Sequence, residues 1–217
     1  MQKKKDLSEN TEKKQPTGKA YRAVVNLLYG ITKLLWPYKL YGSRELPEGG
    51  CMICPNHISF VDILLVSSVF ESRILRYMAK KEFFKFKPFA SFFYAVGAYP
   101  VDRKGGDVAA IKTAIKIVQS GEAAVIFPQG HRNPGKDPKE TKVHGGAMLI
   151  AKRAGVPIVP VYIKTKNRRV MLFRKIKIYV GPAISPAEFE GYGENNNEAM
   201  KALFDRACDM EKNGKWM

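Results

Sequence analysis

From residue 50 onward, short apolar runs alternate with stretches of helical periodicity. That alternation constrains the fold more than any other feature of the chain. The spacing predicts strands over Gly50–Pro55, Leu75–Ala79, Ala98–Asp102, Ala123–Phe127, Ile158–Lys164 and Lys175–Val180. Between them it predicts helices over Phe60–Phe70, Phe84–Val96, Asp107–Ser120, Gly146–Ala154 and Asn196–Lys212. Val108, Ile111, Ile115 and Val118 line one face of the third helix. Strands and helices in alternation make an α/β domain with a mixed, largely parallel sheet flanked by helices. A chain of 217 residues holds one such domain with an extension, and enough chain to bury a substantial core.

The extension is at the amino end. Residues 1–17 are polar and charged and read as a disordered tail. Residues 18–45 read as a membrane-associating segment, and 46–217 as the main domain. Tyr21, Val24, Val25, Leu28, Ile31 and Leu35 recur at helical spacing, with Trp36 and Tyr38 just beyond and Arg22, Lys33 and Lys39 flanking. This suits an amphipathic helix lying in a membrane interface, and equally a helix packed on its own domain. Lys80 to Phe89, continuing to Phe92-Phe93-Tyr94, interleaves cations with aromatic rings at a density suited to phospholipid headgroups. The longest charge-free run, Pro88 to Val101, has 14 residues, whereas a spanning helix needs about 20. The expected location is therefore the cytoplasmic face of the cell membrane, peripheral or monotopic. Lys3-Lys4-Lys5 is not followed by the apolar core of a secretion signal.

The chain carries 37 Lys+Arg against 20 Asp+Glu, a net charge of +17. Such an excess favours an anionic partner: nucleic acid, an acidic membrane or an anionic substrate. No groove-reading element or aromatic sheet motif accompanies it, so a specific nucleic-acid partner is not expected. Cys51 and Cys54 form a Cys-x-x-Cys with no second pair. In a strand they face opposite sides of the sheet, which suits buried small residues and not a shared metal.

Asn56-His57-Ile58-Ser59-Phe60-Val61-Asp62 places a histidine at the mouth of an apolar strand and a carboxylate five positions later. Five residues apart do not share a helix face. His57 therefore belongs on the turn leaving a strand, and Asp62 in the first turn of the next helix, with Ser59 as its cap. A neutral imidazole oriented by a carboxylate can take a proton from a substrate hydroxyl. Taken alone, the run also fits a hydrogen-bonded loop histidine and a charge favoured by the helix dipole.

Three further pieces accompany it. Gly97 to Lys104 leaves a strand and delivers Arg103, whose fork suits a phosphate. Phe127-Pro128-Gln129-Gly130-His131-Arg132 leaves another strand and presents Gln129 and Arg132. His131 reads as a loop residue or minor contact, and His144 as structural or exposed. Val156 to Ile163 is an apolar strand holding two prolines, expected at a sheet edge or entering the sheet late.

In this order the four pieces resemble the four blocks of the glycerolipid acyltransferases, in particular the bacterial 1-acyl-glycerol-3-phosphate acyltransferases. The resemblance covers roughly residues 50–165. It implies His57 as general base and Asp62 as its orienter. It implies Arg103, Gln129, Gly130 and Arg132 as substrate-binding residues, the arginines toward the acceptor's phosphate. It implies an acyl-CoA or acyl carrier protein donor, a lysophospholipid acceptor, an anionic membrane surface, and neither metal nor other cofactor. The Phe-rich stretch from 83 to 93 would line the acyl chain's route. Related acceptors remain open: glycerol-3-phosphate, another lysophospholipid or a lyso-lipoamino acid. So do a non-enzymatic membrane- or nucleic-acid-binding protein and a membrane-remodelling protein without catalysis. The family's third block usually reads Glu-Gly-Thr-Arg. Here Gln129 keeps the shape and loses the charge, which argues against proton transfer at 129.

Overall fold

The structure is a computed structural model that describes residues 19–95, 97–101, 107–193, 195–214 and 216. The polar stretch 1–17 and Arg103 with its neighbouring cation Lys104 lie outside these residues.

Among the described residues seven strands form one sheet: β1 (Tyr38–Tyr41), β2 (Cys51–Pro55), β3 (Leu75–Lys80), β4 (Ala98–Val101), β5 (Ala123–Val125), β6 (Ile158–Lys164) and β7 (Ile176–Val180). Their order is β1-β7-β6-β2-β5-β3-β4. All neighbours are parallel except β6 and β7, which pair antiparallel. Among the described residues six helices cover it: α1 (Lys19–Leu35), α2 (Asp62–Val69), α3 (Lys87–Ala95), α4 (Asp107–Gln119), α5 (Gly146–Ala154) and α6 (Asn196–Asn213).

The buried side chains divide into two clusters, one on each face of the sheet. Cys51, Ile53, Tyr77, Val125 and Val161 pack with Leu65, Val66 and Val69 of α2, and with Leu28 of α1 and Phe93 beside them. Met52, Cys54 and Tyr162 pack with Ala114 of α4, Met148 of α5 and Phe204 of α6. Helices α1–α3 thus cover one face and α4–α6 the other. Every residue of β2 is buried, because a strand sandwiched between two helical layers has no solvent side. Cys51 and Cys54 fall in opposite clusters, as period-2 alternation requires. Both thiols are free, and burial pushes the Cys51 thiol up to about 11.

Three elements depart from the periodicity. β1 is an additional strand that joins the sheet beside β7. Tyr41 stacks on its register partner Tyr179 with ring centroids 4.7 Å apart, and the Tyr38 hydroxyl donates to the Ser68 carbonyl of α2. The Phe-rich segment is broken: a 3-10 turn over Lys81–Phe84 precedes α3, whose second residue is Pro88. That position leaves proline's missing N–H without cost.

The two-proline strand is the third departure. β6 lies inside the sheet, between β2 and β7, and not at an edge. Its backbone explains why the prolines are tolerated. The Pro157 carbonyl accepts from Met52 N at 2.9 Å, just before the strand begins. Ile158 N donates to Ile184 O, so even-numbered residues direct their backbone toward the β7 side. Pro160 falls there, next to Gly181, where β7 has already stopped. The donor that proline lacks is not needed at the end of a ladder.

Candidate active site

The site follows from the strand order. The chain leaves β2 through α2 on one face of the sheet, and leaves β5 toward α5 on the other. The carboxyl ends of adjacent strands therefore open onto a crevice between helices on opposite faces, the usual place for ligands in an open α/β sheet. The residues after β2 are Asn56 and His57. Those after β5 run from Ile126 to Arg132.

Asn56 prolongs the sheet by one rung. Its side-chain amide donates to Ile163 O at 3.1 Å and its oxygen accepts from Ile163 N at 2.6 Å, so it mimics a backbone partner of β6. His57 is the next residue, held where the strand ends. Asp62 is the first residue of α2, as the five-residue spacing requires. Ser59 does not cap that helix, whose start carries no side-chain cap bond; its hydroxyl accepts from Val61 N at 3.2 Å instead. The Asp62 carboxylate folds back over the turn and takes three donors on Oδ2. They are Ile58 N at 2.7 Å, Ser59 N at 2.8 Å and His57 Nδ1 at 2.8 Å.

Asp62 is fully buried. Burial pushes its carboxyl above the ordinary carboxylate range, while the His57 ring and the Ser59 and Ile58 N–H groups oppose that shift. A carboxylate oxygen can only accept, so Nδ1 of His57 carries the proton and Nε2 keeps its lone pair. The imidazole stacks on Phe127, with ring centroids 3.9 Å apart and planes 19° from parallel. One face and one nitrogen are thereby committed to the protein. The His57 side chain keeps 15% exposure, a partial opening to solvent. An imidazole so held can take a proton from a hydroxyl that reaches Nε2.

The loop after β5 supports this ring from below. Gln129 is fully buried, and both ends of its amide are engaged. Its oxygen accepts from His57 N at 2.6 Å and its nitrogen donates to Thr141 Oγ1 at 2.7 Å. Gln129 therefore positions the histidine backbone, with both ends of its amide engaged within the protein. Thr141 in turn spends its only hydroxyl proton on Pro138 O at 2.5 Å. A carboxylate at position 129 would meet the Thr141 oxygen with no proton between them. Gln129→Glu is expected to cost about 1–3 kcal/mol in a chemical denaturation series at neutral pH, by burying an incompletely bonded charge.

Gly130 has φ +72°, a left-handed turn open to glycine at little cost, and its N–H closes that turn onto Phe127 O at 3.0 Å. Arg132 emerges beyond it, exposed, with its guanidinium 3.5 Å above the Phe60 ring centroid. Asn133, which the motif reading passed over, is buried, and its N–H donates to His57 O at 2.8 Å. Gln129 and Asn133 thus grip both backbone groups of His57. Their one sequence signal was position on either side of Gly130-His131-Arg132. His131 and His144 are exposed. Among the described residues, no group of three His, Cys, Asp or Glu side chains could hold a metal ion.

Fold and site together define the class: a three-layer α/β protein with a carboxylate-steadied imidazole at the carboxyl ends of its central strands. Comparison with known proteins narrows it. The chain belongs to the Acyltransferase family, whose model matches residues 38–164. It is 32% identical over 172 residues to the 1-acyl-sn-glycerol-3-phosphate acyltransferase of Bacillus subtilis, covering 78% of this chain and 84% of that one. It is 33% identical over 186 residues to the enzyme of the same name from Streptococcus pneumoniae, covering 81% and 67%. Its fold matches the crystal structure of the 1-acyl-sn-glycerophosphate (LPA) acyltransferase PlsC from Thermotoga maritima with a TM-score of 0.68. That match has 21% identity and covers 90% of this chain and 82% of that one.

Proposed function

We propose that this protein transfers an acyl group from acyl-CoA or acyl carrier protein to the free hydroxyl of 1-acyl-glycerol-3-phosphate, giving phosphatidic acid. The observation that carries this reading is the 2.8 Å contact between His57 Nδ1 and a fully buried Asp62, which leaves Nε2 as the free base. Family membership and the names of the relatives supply the substrate class.

In this mechanism the acceptor hydroxyl gives its proton to Nε2 of His57 while its oxygen attacks the thioester carbonyl carbon. Asp62 stabilises the imidazolium that forms. Collapse of the tetrahedral adduct breaks the carbon–sulfur bond, and the departing thiolate takes the proton from Nε2. The acid and base roles fall on one residue, so the enzyme ends the cycle as it began.

Arg132 is the described cation closest in sequence to the His57 support, and its position over Phe60 holds the fork in place for the acceptor's phosphate. Arg132→Ala is expected to raise the apparent KM for a phosphate-bearing acceptor roughly 10- to 100-fold, with a smaller change in kcat, from the loss of one charge-assisted contact of about 1.5–3 kcal/mol. Steady-state kinetics on acceptors with and without the phosphate check it. Arg103 would act alongside it. The exposed rings Phe83, Phe86 and Phe92, which follow β3, would border the acyl chain.

The membrane supplies the acceptor in this reading. α1 buries Val25, Tyr29 and Thr32 and packs against α2, yet it leaves Leu27, Ile31 and Leu34 exposed on another face. Among the described residues no helix is long and apolar enough to cross a membrane. A helix lying in the interface suits that pattern. Helix α1 would then form the membrane-associating segment, and the acyltransferase domain would begin with β1, which pairs with β7, ahead of the boundary at 46 expected from the sequence.

The direct test is incubation with acyl-CoA or acyl carrier protein thioesters and a panel of acceptors, followed by mass analysis of the lipid. Phosphatidic acid from 1-acyl-glycerol-3-phosphate supports the reading. Acylation of another acceptor alone, or no acylation, overturns it.

A further inference from the structure

The connection from β6 to β7 holds a cluster of features that the chemistry at His57 does not use. Residues 165–175 carry five cations and no carboxylate. At the tip are Met171, Leu172 and Phe173, which are 55%, 55% and 66% exposed. Three consecutive large apolar side chains in water are a liability for a soluble surface and a usual mark of an interaction site.

The backbone holds them out. Asn167, Arg168 and Phe173 have φ of 57°, 53° and 57°, and among the described residues no other non-glycine residue has positive φ. A bulky residue in that region is unfavourable and persists where its surroundings impose it. Here they do. Phe173 N donates to Leu35 O at the end of α1 at 2.7 Å, and Gly135 N donates to Arg168 O at 2.8 Å. Arg168 is ion-paired with Asp137. The loop is thus braced against α1 on one side and against the loop that supports His57 on the other.

Three of the other four cations gather at one place. Lys166, Arg169 and Arg174 have no carboxylate partner among the described residues, and with Asn167 and Met171 they line a shallow cavity of about 200 Å³. An apolar tip above a collar of unpaired cations is complementary to one surface: acyl chains beneath a layer of negative headgroups. The Phe173 backbone meets the end of α1 at Leu35 O, one residue beyond Leu34, which is 71% exposed.

We infer that the β6–β7 loop is a second membrane-docking element, in which Met171, Leu172 and Phe173 enter an anionic bilayer and Lys166, Arg169 and Arg174 bind its headgroups. This rests on the membrane association proposed above and adds a surface outside the amino-terminal helix. The loop leaves β6 at the end of the sheet where His57 leaves β2, since the two strands are parallel, and Asn133 and Gly135 tie the two together through backbone bonds.

The experiment uses the full chain and vesicles of phosphatidylglycerol or of phosphatidylcholine. The parent should sediment with phosphatidylglycerol vesicles. Joint replacement Lys166→Gln, Arg169→Gln and Arg174→Gln should lower that partition coefficient roughly 10- to 100-fold and abolish the preference for anionic lipid. Met171→Ser with Leu172→Ser and Phe173→Ser should lower it at least tenfold and leave acyl transfer to a soluble short-chain acceptor unchanged. Phe173→Trp should add an indole emission, above that of Trp36 and Trp216, that phosphatidylglycerol brominated on its acyl chains quenches. Equal partition of the parent and both multiple variants overturns the inference, and so does an added indole emission in the Phe173→Trp protein that brominated lipid leaves unchanged. A parent that ignores both vesicles also overturns it, together with the membrane reading, while acyl transfer to a soluble acceptor would stand apart from either result.

Discussion

His57→Ala is expected to lower kcat for acyl transfer roughly 10²- to 10⁴-fold, the usual contribution of a positioned general base. The fold should survive. The ring's contacts are one stacked face on Phe127 and one bond to Asp62, and the backbone of residue 57 stays gripped by Gln129 and Asn133. Asp62 keeps the Ile58 and Ser59 donors, so its carboxylate is not stranded. Single-turnover assays would separate loss of chemistry from loss of binding, and vesicle sedimentation would show membrane association intact. A variant that turns over at the parental rate would place the base elsewhere.

Asp62→Asn is the second large effect, and it separates orientation from charge. The asparagine oxygen can still accept from Ile58 N, Ser59 N and the imidazole, so the turn and the ring hold their geometry. The amide nitrogen would then occupy the Oδ1 position, which is buried and has no hydrogen-bond partner in the structure. What vanishes is the negative charge that stabilises the imidazolium. The expected outcome is a fall in kcat of roughly 10²- to 10⁴-fold, with KM for the acceptor little changed. Asp62→Ala should differ in kind. It leaves two backbone donors and a histidine nitrogen unpaired in a buried turn, and it should cost about 2–5 kcal/mol of stability in denaturant melts. Equal stability losses for the two variants would mean that the charge, and not the hydrogen-bonded turn, is what the fold needs from Asp62.

The central architecture was legible from the apolar runs alone. Strands Cys51–Pro55, Leu75–Lys80 and Ile158–Lys164 fall within a residue of expectation, and the clearest of them, Cys51–Pro55, is buried along its whole length and so is written as a continuous apolar run. β1 has no such signature. Its four residues, Tyr-Lys-Leu-Tyr, are half-buried or exposed, and they directly follow a strongly periodic helix. Only β7 makes them a strand, and that partner lies more than 130 residues away in the chain. The prolines of β6 mislead for a related reason. A missing donor argues for an edge only if that donor would have been used, and where the β7 ladder ends is a property of the folded sheet.

The site divides the same way. Histidine and carboxylate five residues apart at a strand-to-helix turn predicted their contact, since every atom involved lies within seven residues of chain. That part the sequence by itself determined: an α/β order of elements, a histidine held by a local carboxylate, and a strongly cationic composition. The tertiary structure decided what lies around the base. Gln129, 72 residues from His57, became a buried brace of the His57 backbone; Asn133 took the opposite backbone group; and the Phe173 backbone came to rest against the end of α1. The physical reason is range. Local spacing constrains bonds that close within a turn, whereas the meeting of distant loops depends on strand order, and strand order is set by burying both faces of the sheet at once.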